Sequence, residues 1–577
     1  MHINGGVSMF LKKDKRPNGR IYLSIVKGYR DPITKKNRQK SVMKVGFFDE
    51  LIKEYDDPIA HFEEVARKMT EEERQKELPL SFKFSRDEEI DSSIQLRKNI
   101  GYLVLSHFYH LLEIDKFMIN RQRNLKEEYS LNNIFQALVY LRILSPSSKK
   151  ASFETLSNYF FDSNFSLADI YRALSKFNFY KDDLILSLHE RIRMLYGRNL
   201  EKVYYDVTNY YFEIPNDDDF RKKGFSKEHR PNPIVQMGLL MDQSGLPITY
   251  KLFEGNVNDC NTMMPVLHDL KDEFGLGKVI VVADKGINTG ENIAYNIIQG
   301  NGYIYSQTIR GATNELKDYV LNEEGYIHSE NGFKIKSRIV STKIWITDIH
   351  NRRKQVDVEQ KQIVFYSPDY DKKAKHERNR VIEKARKLIS RNQTAPKNGS
   401  YKYLKKEKID RETGEILDPH DFHTIDKERI LEEEKYDGYY LLVTSELGMK
   451  DGEVIDAYRG LWKIEESFKI TKSELKARPV YLSRKDRIDA HFLICFISLT
   501  LLRLLEKELK TKGISTKDSV QTMREMTGTY LDENYYLFDC NNDIVKAFEE
   551  ITGIEFSKRF ASLKEIKDMI AFTKKNS

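Results

Sequence analysis

The chain has 577 residues, 32% of them charged, and is long enough for several domains. A net charge of +7 suits a nucleic-acid partner without requiring one. Only three cysteines (Cys260, Cys495, Cys540) and no metal-type spacing among them exclude a disulfide scaffold and argue against a structural zinc. The opening Met1-His-Ile-Asn-Gly-Gly lacks the apolar stretch and processing site of a secretory leader, so a cytoplasmic location is expected.

In chain order, residues 9–48 read as a small strand-rich unit with turns at Pro17-Asn-Gly19 and Asp31-Pro32. A helical linker of mixed charge follows, closing a first region at 1–92. Residues 93–198 read as helical, with clear apolar periodicity from Asn132 to Leu144 and a break at Leu144-Ser-Pro-Ser-Ser-Lys-Lys150 that suits a turn and a new helix N-terminus. The β-branched and aromatic run Lys202–Phe212 predicts a buried strand. Asp206 inside it is costly unless it is paired or metal-bound.

Residues 234–242 and 248–254 predict a hairpin around Gln243-Ser-Gly-Leu-Pro247, and a helix is expected from about Asn261 to Phe274. The apolar run Lys278-Val-Ile-Val-Val-Ala predicts a parallel-type strand that closes on Asp284 and a glycine turn. Further on, 333–340 and 343–348 read as two alternating strands, with Trp345 expected in the core. Between Asp371 and Lys408 stand fourteen lysines and arginines against four acids. Arg378, Arg380, Lys384, Arg386 and Lys387 lie in a helical part of that run, which could follow a DNA backbone; a solvated charged helix with a loop through Pro396-Lys-Asn-Gly-Ser400 is the plainer alternative.

Tyr458, Glu465 and Lys472 stand seven positions apart, which on one continuous helix puts them on a single stripe at roughly 10 Å intervals. Leu461, Trp462 and Phe468 would form its apolar flank, with Trp462 read as a core residue. The run Phe492–Leu502 is too short to span a bilayer and reads as a core helix, so no membrane partner is expected. Residues 506–577 read as helical. Each acid also has an ordinary reading: Asp206 as a strand-edge acid paired with a lysine, Asp284 as a turn cap, and Glu465 as a surface acid beside Lys469, with Glu466 as a rival for its role.

The order of these elements, with acids at Asp206, Asp284 and Glu465, resembles the ribonuclease-H-like core of DDE transposases. The tail motif is similar to that of IS4-type bacterial insertion-sequence transposases, in their IS1634-like branch. That signature is Tyr-x2-Arg-x3-Glu-x6-Lys; Tyr458, Glu465 and Lys472 match it, while Leu461 stands in the arginine position and Arg459 lies on another side of the helix. Gly224-Phe-Ser-Lys-Glu-His-Arg-Pro231, Gly255-Asn-Val-Asn-Asp259, Asp437–Thr444, Arg487 and His491 fit the same branch, so the resemblance runs from about Met9 to Leu505.

The resemblance implies an α/β core with a ribonuclease-H-like mixed sheet, split into 199–310 and 447–505 around a mostly β insertion at 311–446, with helical regions at 93–198 and 506–577. It implies that 93–198 binds the element's ends. Asp206, Asp284 and Glu465 would be the catalytic acids and ligands of two Mg²⁺ or Mn²⁺ ions, whose hard character suits carboxylate oxygens. Tyr458, Lys472 and Lys469, with Arg378, Arg380 and Lys384 of the basic run, would contact DNA phosphates.

The implied activity is cleavage of terminal inverted repeats and joining of the 3′-hydroxyl ends to target DNA by two-metal phosphoryl transfer, in a homodimer that pairs two ends of double-stranded DNA at the bacterial nucleoid. The alternatives are a transposase-derived DNA-binding protein that no longer cuts, and a metal-dependent nuclease that does not join.

Overall fold

The structure is a computed structural model; it describes all residues except 1–8, 18, 31–36, 78–95, 228–229, 275–276, 348–349, 391–399, 409–420, 532–533 and 576–577. The expected turn at Asp31-Pro32, most of the linker beyond residue 77, and the Pro396–Gly399 loop therefore lie outside the described residues.

The chain forms two compact units, 1–91 and 92–577. In the first, strands Met9–Lys15, Ile21–Arg30 and Asn37–Phe47 make an antiparallel sheet. Helix Pro58–Glu77 packs on it through Phe62, which meets Leu23 and Leu51 in a small core.

The second unit is built on a nine-stranded sheet. Its strands are β1 (Lys202–Tyr211), β2 (Ile234–Asp242), β3 (Pro247–Glu254), β4 (Ile280–Ala283), β5 (Gly302–Gln307), β6 (Ile327–His328), β7 (Lys334–Thr347), β8 (Arg353–Tyr366) and β9 (Tyr439–Thr444). Their spatial order is β6-β7-β8-β9-β5-β4-β1-β2-β3. Within it, β3-β2-β1 is an antiparallel meander and β1-β4-β5 run parallel. This is the mixed five-stranded sheet of a ribonuclease-H-like core. Both faces of β2 are buried, as are the side chains of β4, which explains their unbroken apolar sequences.

Most of the insertion's described strands join the core sheet, and only Leu404–Lys408 and Asp421–Ile425 pair apart from it as a two-stranded sheet. The insertion's long hairpin β7–β8 pairs through β9 with β5 and so extends the core sheet by four strands. The two strands expected at 333–340 and 343–348 are one, because Ser341 and Thr342 continue the ladder opposite Glu359 and Val358. Trp345, expected in the core, is 49% exposed on β7, with the Arg353 guanidinium 5.6 Å from its ring. It faces outward on a hairpin whose other face supplies the packing.

The second unit also contains helices α1 (Leu131–Leu144), α2 (Pro368–Ser390), α3 (Asp451–Arg459), α4 (Trp462–Ser473) and α5 (Lys485–Leu509). α5 is long and apolar enough to cross a membrane by length and composition, but 94% of that stretch is buried inside the protein. It packs between α1, helix Leu167–Phe179 and β3, and joins the helical region to the sheet in one continuous core. The tail beyond 506 adds strands Thr527–Tyr530, Tyr535–Phe538 and Phe560–Ser562 to its helices. These pair with one another and with Arg97–Asn99 in a four-stranded sheet. Strands of three or four residues are too short to show an alternating pattern in sequence.

Candidate active site

The sheet register brings the first two acids together. Tyr204 of β1 is opposite Val282 of its parallel neighbour β4, so Asp206, midway along β1, and Asp284, just past the end of β4, stand at the same level. Parallel strands of an open sheet place ligands at their carboxyl ends.

Asp284 is held from one side: Ser306 Oγ donates to its Oδ1 at 2.7 Å and the Tyr458 hydroxyl donates to the same oxygen at 3.1 Å. The Oδ2 atom accepts no hydrogen bond among the described residues. Asp206 Oδ1 accepts from the Val207 N–H at 2.7 Å. Burial raises the Asp206 carboxyl to about 6; nearby Lys227 and the Val207 N–H oppose this, while Asp284 and Asp259 add to it.

Glu465 comes from α4, which packs along β1: Thr471 meets the Tyr210 hydroxyl at 2.8 Å, and Lys463 lies 5.5 Å from the Tyr204 ring. Glu465 is exposed on the open side of this helix. Its neighbour Glu466 is instead held by Arg503, 3.1 Å away, whose guanidinium also grips Ser467 Oγ and the Lys463 carbonyl. Packing therefore leaves Glu465, and not Glu466, exposed without an ion pair among the described residues. Burial raises the hydroxyl of Tyr440 on β9, and Tyr370, Asp284, Glu377 and Glu465 add to it.

The continuous helix expected from Tyr458 to Lys472 is broken in two. Gly460 and Leu461 separate α3 from α4, and the N–H groups of Leu461, Lys463 and Ile464 bond three residues back instead of four. A Cβ on Gly460 would lie 2.0 Å from the Tyr204 hydroxyl, so the chain can turn against β1 only at glycine. The break puts Tyr458 on α3, facing Asp284, and leaves Glu465 and Lys472 on α4. Trp462, expected in the core, is 55% exposed at the start of α4. Leu461 takes the buried place at the kink, which an arginine could fill only at the cost of desolvating its charge.

Lys472 sits 5.8 Å from the Tyr210 ring. Burial and the nearby Lys227 lower its ammonium to about 8, while Asp206 opposes them. Two segments quoted above without a role meet here. Gly224 abuts the Gly255 carbonyl so closely that a Cβ would lie 1.9 Å from it. This seats Lys227, which donates to the Val207 carbonyl and lies 3.9 Å from Asp259 Oδ2. Sequence reasoning named both stretches but missed Lys227 and Asp259 as neighbours of Asp206; only the fold joins them.

The basic run divides. Arg380 and Lys384 are exposed on α2, as is Lys469 on α4. Arg378 is not available to DNA: its side chain is 4% exposed and pairs with Asp437 at 2.6 Å and Glu434 at 3.2 Å. One turn of α2 faces the protein and takes that arginine with it.

The carboxylates are hard oxygen donors of the kind divalent cations take, and the Asp206 carboxyl, raised by burial and by two acidic neighbours, would gain from one. Among the described residues, no three acidic, histidine or cysteine side chains already stand close enough to enclose an ion.

Residues 211–501 match the transposase DDE domain, half of the chain, and residues 11–80 match the N-terminal domain of IS1634 family transposases. The chain belongs to the DDE transposases, of the IS1634 type. Among solved structures it is similar to a piggyBac transposase synaptic complex with hairpin DNA, at 8% identity and a TM-score of 0.35, over 82% of this chain and 85% of that one. A Mos1 transposase paired-end complex with the left transposon end is similar at 14% identity and a TM-score of 0.14, over 31% of this chain and 58% of that one. No curated protein matches the chain. IS1634 is thus the closer label than IS4 for this transposase.

Proposed function

We propose that this transposase cuts the ends of a mobile DNA element and joins the 3′-hydroxyl ends to target DNA, with Asp206, Asp284 and Glu465 as the catalytic acids. The observation that carries this reading is the levelling of Asp206, midway along β1, with Asp284, just past the end of its parallel neighbour β4, and Glu465 presented on the helix packed along β1. Those three carboxylates would hold Mg²⁺ or Mn²⁺. When bound, two such ions supply an activated attacking oxygen and neutralise the leaving one. Ser306 and Tyr458 fix one oxygen of Asp284, so that the other points to a ligand. Lys472 and Lys227 place positive charge beside Asp206, where a scissile phosphate would lie. Water would serve as the first nucleophile and the freed 3′-hydroxyl as the second, on the same acids.

The partners in this reading are double-stranded DNA with terminal inverted repeats and a second copy of the chain, since two ends must be held together. Lys469, Arg380 and Lys384 would add contacts to the backbone, and the substrate would be cytoplasmic DNA at the nucleoid.

Cleavage of a labelled duplex bearing the element's terminal repeat, in Mg²⁺, tests the reading. Wild type is expected to release the 3′ end and join it to a plasmid. Glu465→Gln, nearly isosteric, is expected to bind the duplex and cut it at least about 100-fold more slowly. Repeat binding by both with cutting by neither would establish the non-catalytic alternative, and cutting without joining would establish a nuclease.

A milder loss is expected for Tyr458→Phe. It keeps the ring but removes the hydrogen bond to Asp284, and should cost about 10–100-fold in cutting rate or in Mg²⁺ affinity. Abolition of a covalent protein–DNA adduct by this change would instead make Tyr458 a nucleophile.

A further inference from the structure

A cavity of about 690 Å³ lies apart from the three acids and has no part in the chemistry above. Its walls come from Arg142 of α1, the Pro146–Lys149 turn, Lys476–Leu482 after α4, Tyr171, and His491 of α5. No aspartate or glutamate lines it.

Two of its cations are strained by burial. The Lys149 side chain is 5% exposed, and its ammonium has no hydrogen-bond acceptor among the described residues. Arg142 uses its outer nitrogens on the Ser147 carbonyl, at 2.9 Å, and the Leu475 carbonyl, at 3.4 Å, but its Nε is buried without an acceptor. An unpaired buried donor costs free energy that a bound acceptor returns, and for a cation the return is larger. Burial and Arg142 together lower the Lys149 ammonium to about 7. Burial, Lys149 and Arg142 push the His491 ring well below its usual range, so it stays neutral and donates no further charge.

We propose that this cavity is an anion site built for a phosphate group of bound DNA. Its position argues for DNA. The Lys476–Leu482 wall continues directly from α4, which carries Glu465 and Lys472, and the Arg478 guanidinium lies 5.5 Å over the ring of Tyr211. Tyr211 is five residues along β1 from Asp206, about 17 Å at strand spacing. The site would therefore hold a phosphate of the same duplex some way from the one being cut, and fix its register. The exposed Tyr481 marks an open side through which a backbone can enter. The volume admits a phosphate with part of its sugars. That the phosphate is DNA's rests on the transposase reading; that the cavity binds an anion does not.

The test compares wild type with Lys149→Met, which keeps the bulk of the side chain. Inorganic phosphate, against chloride at equal ionic strength, is expected to raise the unfolding midpoint of wild type and leave that of Lys149→Met unmoved. In chloride the variant should be no less stable, because it loses an unpaired buried charge. For duplex binding, the slope of log K against log salt should flatten by about 0.9 in the variant, the loss of one phosphate contact. A lost phosphate response with an unchanged DNA slope would overturn the DNA assignment in favour of a free phosphorylated molecule.

A wild type indifferent to phosphate, or a variant that responds equally, overturns the site itself. Should Lys149→Met fail to fold, a titration of the wild-type protein with inorganic phosphate, read by calorimetry in chloride buffer of equal ionic strength, serves instead. Saturable binding at one site supports the proposal, and its absence overturns it. None of these readouts requires DNA cutting, so a protein that never cuts could still carry the anion site.

Discussion

Asp206→Asn is expected to be more stable than wild type in metal-free buffer at pH 7.5, and to have lost Mg²⁺-dependent DNA cutting. An exposed aspartate titrates near 4, whereas Asp206 is held up at about 6, chiefly by burial. Between those values the folded protein binds the proton more tightly than the unfolded chain. Stability therefore falls as pH rises through that window, and the full cost is present above pH 6. The shift corresponds to about 1–3 kcal/mol. The asparagine can keep the hydrogen bond from the Val207 N–H while carrying no charge.

Thermal unfolding at pH 4 and pH 7.5 checks this. The gap between variant and wild type should open at the higher pH and close at the lower. Mg²⁺ should stabilise wild type and leave the variant unchanged. A variant less stable than wild type at pH 7.5 would show that the carboxylate is paired rather than isolated, and would remove the argument that it waits for a cation.

The second large effect is structural. Asp437→Ala is expected to destabilise the protein by about 3–5 kcal/mol, because it strands a buried guanidinium. Asp437 is 1% exposed by side chain and receives Arg378 at 2.6 Å and Arg310 at 3.0 Å. It anchors α2 to the turn before β9, with Gly438 in the left-handed conformation alongside. Denaturant unfolding measures the loss. If the midpoint is unchanged, Arg378 is adequately served by Glu434, and the triad's geometry does not depend on this pair. Arg378 also shows why charge counting over-reads a basic run: a helix turns one residue in every three or four toward its support, and composition cannot say which.

Much of the core was legible from residues alone. The runs that became β1, β2, β3 and β4 declared themselves by aromatic and β-branched content, and the acids inside or at the end of two of them stood out because nothing in a strand's own packing calls for a buried carboxylate. The hairpin turn before Pro247 was equally plain. The heptad spacing of Tyr458, Glu465 and Lys472 identified the right segment but gave the wrong path for it. Helical periodicity carries no information about a kink forced by a tyrosine on a distant strand, and Gly460 against Tyr204 is such a contact. Trp462 and Trp345 were misplaced for a related reason: hydrophobic character says that a residue can be buried, while the neighbouring element decides whether it is.

What the sequence determined by itself was the inventory: three acids in distinctive contexts, the strands that carry two of them, and a basic, cysteine-poor chain of more than one unit. The tertiary structure decided which groups meet. Parallel pairing of β1 with β4 levelled Asp206 with Asp284, the Arg503 contacts chose Glu465 over Glu466 as the exposed acid, and the close approach of Gly224 to Gly255 brought Lys227 beside both Asp206 and Asp259. Such pairings span tens to hundreds of residues. They depend on register and on close packing between elements, which local periodicity does not encode.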